Sequence, residues 1–338
     1  GLTTGFVDCY DLFVEEVKDD QYRTQSGWKD LDTQEEIIEV KGQSDSSISI
    51  QKTHHGVLLE PFMNEFGMSG SQKNQYQTSL YWSLQNVPTS AGALALLPTA
   101  KSAKEFGEFL FENDVCPLVN NIICVDKDSQ LERYIATTTP VRKGVTGSVP
   151  LAGWKEKYDF PLANSEQLLV ERNPSNGFAL TANNDTMGET GEFYIHNFPT
   201  HNARADRIRE LLGKKKKFSV EDFCSMQLDL YDLRANEVLP DLIKILQESK
   251  DKEVRLAAKL LNEWDCSSST ESRGACLYYP FLDRFWQRKY MYKVLKDELI
   301  NLLPLGAPGL NRFDISSFIN STTAWKEHEE LLKTTIQE

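Results

Sequence analysis

From residue 1 to about residue 202 the chain follows the two-residue alternation of β-strands; from about 203 to 338 it changes to the three-to-four-residue spacing of amphipathic helices. A strand-rich half followed by a helix-rich half is an α+β arrangement, since a doubly wound parallel sheet would interleave the two patterns. In the first part, "GFVDCYDLFVEEV", "EEIIEVKG", "SSISIQKT" and "TSLYWSL" read as strands, with "SGWKDLD" as a turn-and-return segment and "NEFGMSGSQKNQ" as a loop. "KSAKEFGEFLFEND" (101–114) has helical spacing. "NNIICVDKDSQLERYIATTTPVRKG" reads as a hairpin about a "DKDS" turn that ends at Pro140, and "QLLVERNPSNGFALTA" as two short strands about an Asn-Pro-Ser-Asn-Gly turn. In the second part, helices are expected over "NARADRIRELLG", over residues 219–249 as one or two, over "KEVRLAAKLLNEWD", and over 285–303 and 324–336. Ser219 and Asp222 have the spacing of a capping box.

Several classes are excluded by composition. No apolar run approaches the roughly 18–20 residues of a membrane helix. A net charge of −13 argues against nucleic acid as a partner. The lysines at 214–217 follow a helix end, where solvated positive charge complements the dipole. Six cysteines (Cys9, Cys116, Cys124, Cys224, Cys266, Cys276) show no Cys-x-x-Cys spacing, which argues against a zinc site. Cys266 and Cys276 bracket a serine-rich loop and could pair in an oxidising compartment; free thiols are an equally good reading.

Three constellations carry polar chemistry. Asp8 and Asp11 stand three apart with the Tyr10 carbonyl between them, oxygens of the kind calcium takes, although two carboxylates are fewer than a site needs and solvated aspartates are the plainer reading. In "TANNDTMG" the paired asparagines read as a turn, and a side-chain amide there could also stabilise an oxyanion. His54 and His55 are adjacent, so on a strand they face opposite ways and cannot readily share a metal; structural hydrogen bonding is the default. No phosphate loop, Gly-x-Ser-x-Gly elbow or His-Glu-x-x-His motif is present.

Taken in order, "GLTTGFVDCYDLFVEE", "GWKDLDTQEEIIEVKG", "QKTHHGVLLEP", the hairpin ending in Pro-x-Arg, "NPSNGFALTANN", "RADRIRELL", the helix following Ser219 and "AAKLLNEWD" resemble the β-subunit of the penicillin acylase (penicillin amidase) family. The resemblance covers residues 1–265 and weakens beyond. It implies an N-terminal nucleophile (Ntn) hydrolase with an αββα sandwich, incomplete in this chain, and a mainly helical second half. It implies amide hydrolysis through an acyl-enzyme on an N-terminal Ser upstream of Gly1, so that this segment by itself is expected to be an inactive internal piece. The α-amine of that Ser, with a pKa near ~8, is suited to act as the base. By the same resemblance Asn183 and the Thr4 backbone N–H are oxyanion donors, Arg207 supports the Asn and the substrate end, and Phe6 lies beside the acyl pocket. Asp8, the Tyr10 carbonyl and Asp11 match ligands of a structural calcium found in some members; no organic cofactor is implied. The implied partners are a small acyl amide substrate and the α-subunit and remaining β-subunit segments of one precursor, in a periplasmic or secreted protein. The alternative is a non-catalytic binding or scaffold homologue that kept the fold without the chemistry.

Overall fold

Alternation along residues 10–18 buries one face of a long strand and sets the frame of the first half. The computed structural model describes residues 1–60, 75–85, 95–111, 116, 118–147, 149–187, 195, 202–282 and 336. They fall into two compact units, Gly1–Asn197 and Phe198–Glu338.

In the first unit, β1 (Leu2–Thr4), β9 (Asn120–Val125), β10 (Leu131–Ala136) and β12 (Leu169–Arg172) make an antiparallel sheet in that order. The second sheet runs β4 (Gly27–Asp30), β3 (Gln21–Thr24), β2 (Tyr10–Lys18), β8 (Tyr76–Trp82), β7 (Val57–Leu58), β6 (Ser46–Lys52), β5 (Asp32–Ile38), and β11 (Leu151–Ala152) adds to β2 in parallel. Turn chemistry explains the hairpins. Asp19 and Asp20 both adopt positive φ (50° and 58°), the conformation whose twist matches a two-residue hairpin, and Lys18 pairs with Gln21 across it. Between β9 and β10 the Asp126 carboxylate accepts from the backbone N–H of Asp128 and Gln130, closing the turn predicted at "DKDS".

Helix α1 (Ala103–Leu110) starts where Ser102 accepts from the Glu105 N–H, and it buries Ala103, Gly107 and Leu110 on one face. That face packs in a core with Ile122, Tyr134, Ile135 and Ala136 of β9 and β10 and with Val7 and Cys9. Each large apolar side chain buried there contributes about 1.5–3 kcal/mol. A one-turn helix α2 (Ser165–Leu168), boxed by Asn164 and Gln167, leads into β12.

The second unit is helical: α3 (Ala203–Gly213), α4 (Val220–Gln227), α5 (Leu233–Gln247), α6 (Lys252–Asn262) and α7 (Arg273–Leu282). Ser219 and Asp222 form the expected capping box of α4. The 219–249 stretch is two helices, because Asp232 caps a new one by accepting from the Ala235 N–H. Leu242, Leu246, Val254, Leu261 and Tyr278 centre this unit's core.

The structure bears on the expectations unevenly. "SGWKDLD" contributes a strand, β4, rather than a mere turn. The second strand expected near Phe178–Thr181 does not form; only β12 does. Cys266 and Cys276 are both free, the first buried and the second exposed on α7, a helix that the serine-rich reading missed. The loop at 64–74 and the helices expected at 285–303 and 324–335 lie outside the described residues. Among the described residues no helix is long and apolar enough to cross a membrane.

Gly107 has no room for a side chain: a Cβ there would strike the buried Tyr134 ring. Gly107→Ala is expected to destabilise the protein by about 1–3 kcal/mol despite its better helix propensity, read as a lowered urea midpoint at unchanged slope.

Candidate functional site

β1 is an edge strand, and its register decides where its polar groups point. Gly1 and Ile123 exchange both backbone hydrogen bonds, and the Gly5 N–H donates to the Val119 carbonyl. By the antiparallel alternation Thr4, opposite Asn120, occupies a non-bonded position, so its N–H and C=O point away from β9 to the open edge. On that edge the Asn183 side-chain amide donates to the Thr4 carbonyl at 3.0 Å. Asn183 is half-buried with φ 65°, a left-handed conformation asparagine tolerates better than most residues.

Buried polar contacts hold the loop that carries Asn183. Thr181 and Thr3 share a hydroxyl hydrogen bond of 2.8 Å; fully buried Asn121 donates to Thr3 and accepts from Thr186 at 3.0 Å. Arg133 donates to the Leu180 carbonyl, and the Asn184 side chain accepts from the Ala182 N–H. Phe6 is half-buried with φ 49°, at the bend by which the chain leaves β1.

Past this bend, β2 buries Asp11, Phe13 and Glu15 on one face, two carboxylates about an aromatic ring. Arg142, fully buried, answers the first. Its Nε donates to both Asp11 oxygens (2.9 and 3.1 Å), and its Nη atoms donate to the carbonyls of Asp8 (3.2 and 3.3 Å) and Tyr10 (3.1 Å). The Asp8 carboxylate lies 3.5 Å from Nη2. Burial pushes the Asp11 carboxyl up, with Arg142 opposing. The oxygens expected to hold calcium thus converge, but on a guanidinium. As they stand they do not fit the ion, whose six to eight oxygens must face it at 2.3–2.6 Å.

His55 answers the second carboxylate. One Glu15 oxygen accepts from His55 Nδ1 (2.8 Å), Ser79 (2.8 Å) and Thr53 (3.0 Å). Burial acts to raise the Glu15 carboxyl, but the donors, His55 foremost, hold it below its usual range. Phe13 stacks on His55 with centroids 3.6 Å apart, and Gly153 lies so close that a Cβ there would strike the Glu15 carboxylate.

The strand geometry assumed for the two histidines is corrected. Thr53 and Gly56 bond to each other at both ends of a tight turn, with His54 and His55 as its central residues. Their rings therefore lie together, 3.8 Å apart, instead of on opposite faces. Asp159, more than a hundred residues away, reaches His55 Nε2 at 3.0 Å and His54 Nε2 at 3.7 Å. Desolvation lowers the His54 pKa, with His55 adding to it and Asp159 opposing. Among the described residues these three form a group with donor atoms within 4.8 Å of one another, able to hold a metal ion. They border a cavity of about 160 Å³ that Asp11, Phe13 and Tyr81 also line.

Arg207 belongs to the second unit. It donates from Nε and Nη2 to the two Asp229 oxygens (2.9 and 2.8 Å) and from Nη1 to Glu210, and it lies over the Tyr231 ring. Sequence reading marked Arg142 only as the arginine of the Pro-x-Arg motif, without a role, and missed Glu15, Asp159 and the Thr3–Asn121 contacts. Of those missed, Glu15 alone left a local signal, a charged residue on the apolar phase of a strand.

The sequence profile described as penicillin amidase matches residues 1–335. Acyl-homoserine lactone acylase QuiP of Pseudomonas aeruginosa is 24% identical over 303 residues, 83% of this chain and 35% of that protein. Its namesake from Pseudomonas syringae pv. syringae is 24% identical over 292 residues, 81% of this chain and 34% of that protein. The chain therefore spans about a third of the length of these curated relatives. The thermostable penicillin G acylase from Alcaligenes faecalis superposes with a TM-score of 0.66 at 18% identity, over 100% of this chain and 65% of that one, a likeness of fold.

Glu15 makes stability depend on pH. Its folded pKa lies below the unfolded value of about 4.3, so its contribution is complete above that value and is lost as pH falls through the folded one. Glu15→Gln is expected to cost roughly 1.5–3 kcal/mol at pH 7. In urea unfolding the gap from wild type should narrow on acidification; a gap independent of pH would contradict an ionised Glu15.

Proposed function

The chain belongs to the penicillin amidase family, a family of acylases that includes penicillin acylase and acyl-homoserine lactone acylase, and from this premise we propose that it carries the oxyanion-binding part of an amide-hydrolysing site. The single observation behind this reading is the Asn183 amide held 3.0 Å from the Thr4 carbonyl at the open edge of β1, the edge to which the Thr4 N–H also points.

In the proposed reaction a serine hydroxyl, supplied from sequence outside these 338 residues, attacks the amide carbonyl carbon. The carbonyl oxygen takes the negative charge and accepts from the Thr4 N–H and Asn183 Nδ2. The serine's own α-amine takes the hydroxyl proton and passes it to the departing amine, and water then hydrolyses the acyl-enzyme. The contribution of this chain is preorganisation: two donors fixed before charge develops cost nothing to reorient when it does. The substrate class is a small acyl amide. Phe6 is assigned to the acyl side and Arg207 to supporting the substrate end. The two antiparallel sheets are read as the inner layers of an αββα sandwich, with the α-subunit and remaining segments of the precursor completing it, in an exported protein.

The test uses the whole protein, with its nucleophile, acting on acyl-homoserine lactones and phenylacetyl amides. Asn183→Ala should lower kcat by about 10²–10³-fold with KM little changed. Thr4→Ala, which keeps the backbone donor, should stay within a few-fold of wild type. Thr4→Pro, which removes an N–H that no ladder bond uses, should fall as Asn183→Ala does. A silent Asn183→Ala, or acyl amide binding without turnover in the wild type, would favour a scaffold protein.

A further inference from the structure

We propose that the Arg142 guanidinium is the resident cation of the cage formed by Asp8, Tyr10 and Asp11, so that this chain needs no metal where the family resemblance implies calcium.

The guanidinium takes both Asp11 oxygens and the Tyr10 carbonyl by hydrogen bonds and meets the Asp8 carboxylate as an ion pair, while the buried Asp8 Oδ2 takes no hydrogen bond from it. Nε takes both Asp11 oxygens, the two Nη atoms take the Asp8 carbonyl, and Nη2 also takes the Tyr10 carbonyl and lies 3.5 Å from the Asp8 carboxylate. The separations from 2.9 to 3.3 Å suit N–H···O hydrogen bonds and lie beyond the calcium–oxygen range of about 2.3–2.6 Å. The planar fork of a guanidinium can meet several oxygens at once, which a lysine cannot do.

On the Gly147 side there is no room for an ion beside it, while Asp11 also lines the cavity of about 160 Å³ next to the histidines. Gly147, at φ 74°, closes over the cluster; a Cβ there would come within 2.7 Å of Asp11 Oδ1, 2.8 Å of Arg142 Nε and 3.0 Å of Asp8 Oδ2. From the other side the Thr139 hydroxyl donates to the Asp8 carbonyl at 2.9 Å. An ion that took these oxygens would displace the guanidinium from them, leaving a buried cation without its acceptors, a costly arrangement in a protein interior. The backbone also fixes the arginine: the Val141 N–H donates to the Pro161 carbonyl at 2.7 Å, one residue before it. One cation thereby clamps two stretches of chain, Asp8–Asp11 at the start of β2 and the 139–147 segment. This inference is independent of the catalytic reading.

The test compares the purified chain, Asp11→Asn and Arg142→Met, using thermal unfolding in excess EDTA or excess calcium chloride and calorimetric titration with calcium. For the wild type, EDTA and calcium should leave the midpoint equal, and no calcium uptake should depend on Asp11. Arg142→Met keeps the bulk and removes the charge. It should lower the midpoint by about 10 °C or more and regain part of that loss with calcium, because two carboxylates and two carbonyls then lack a cation. Calcium uptake by the wild type that Asp11→Asn abolishes would overturn the proposal, as would an unchanged midpoint in Arg142→Met. If Arg142→Met does not fold, the Asp11-dependence of calcium uptake in the folded wild type still decides.

Discussion

Two carboxylates buried on one face of β2 impose the constraint on which the first unit depends. A strand that turns Asp11 and Glu15 inward cannot pack unless something brings hydrogen bonds to both, since an unpaired charge there would cost several kcal/mol. The chain brings Arg142 from more than 130 residues away to the first. To the second it brings His55 from the turn after β6, with Ser79 of β8 and Thr53. Phe13, between them, stacks on the imidazole. The polar face is therefore also a set of long-range ties, each fixing a separate stretch of chain to the same strand.

The same logic governs the edge of the other sheet. Thr3 and Thr4 are neighbours on β1 with opposite duties. The Thr3 hydroxyl joins Thr181 and Asn121 in a partly buried chain that holds the 181–187 loop. The Thr4 backbone is turned to the open edge, where Asn183 meets it. One residue of register separates structural support from available donors, and the bonded Gly1–Ile123 pair determines which is which. The bend through Phe6 then joins this edge to the Arg142 cluster within a few residues. The two polar centres thus share a short piece of backbone, so disorder at one would be felt at the other.

How much of this was legible depended on the range of the interaction. The β9–β10 hairpin could be read because Asp126 closes its own turn, and the capping box at Ser219 because its two partners are three residues apart. The misreadings share a cause. The alternation around His54 and His55 reads as strand, but Gly56, with φ 140° and no space for a Cβ against the Leu80 carbonyl, folds them into a turn. Asp8 and Asp11 are legible as paired oxygens, while the group they face is not, since nothing in the sequence links the Pro-x-Arg arginine, 131 residues on, to them. Alternation at Phe178–Thr181 was present without a strand, because the Leu180 carbonyl is taken by the Arg133 side chain and Thr181 by Thr3.

The sequence by itself determined the order of strand-rich and helix-rich parts, the local caps and turns, and which short segments resemble an acylase. These follow from periodicity and from contacts spanning a few residues, where chain connectivity guarantees proximity. Only the tertiary structure decided that Asp11 would face an arginine, that Glu15 would be held ionised by a histidine, and that Asn183 would lie on the Thr4 edge. Each of those depends on groups roughly 40 to 180 residues apart. Bringing them together is the work of two sheets and their packing, and the residue types alone do not encode which carboxylate a given cation will reach.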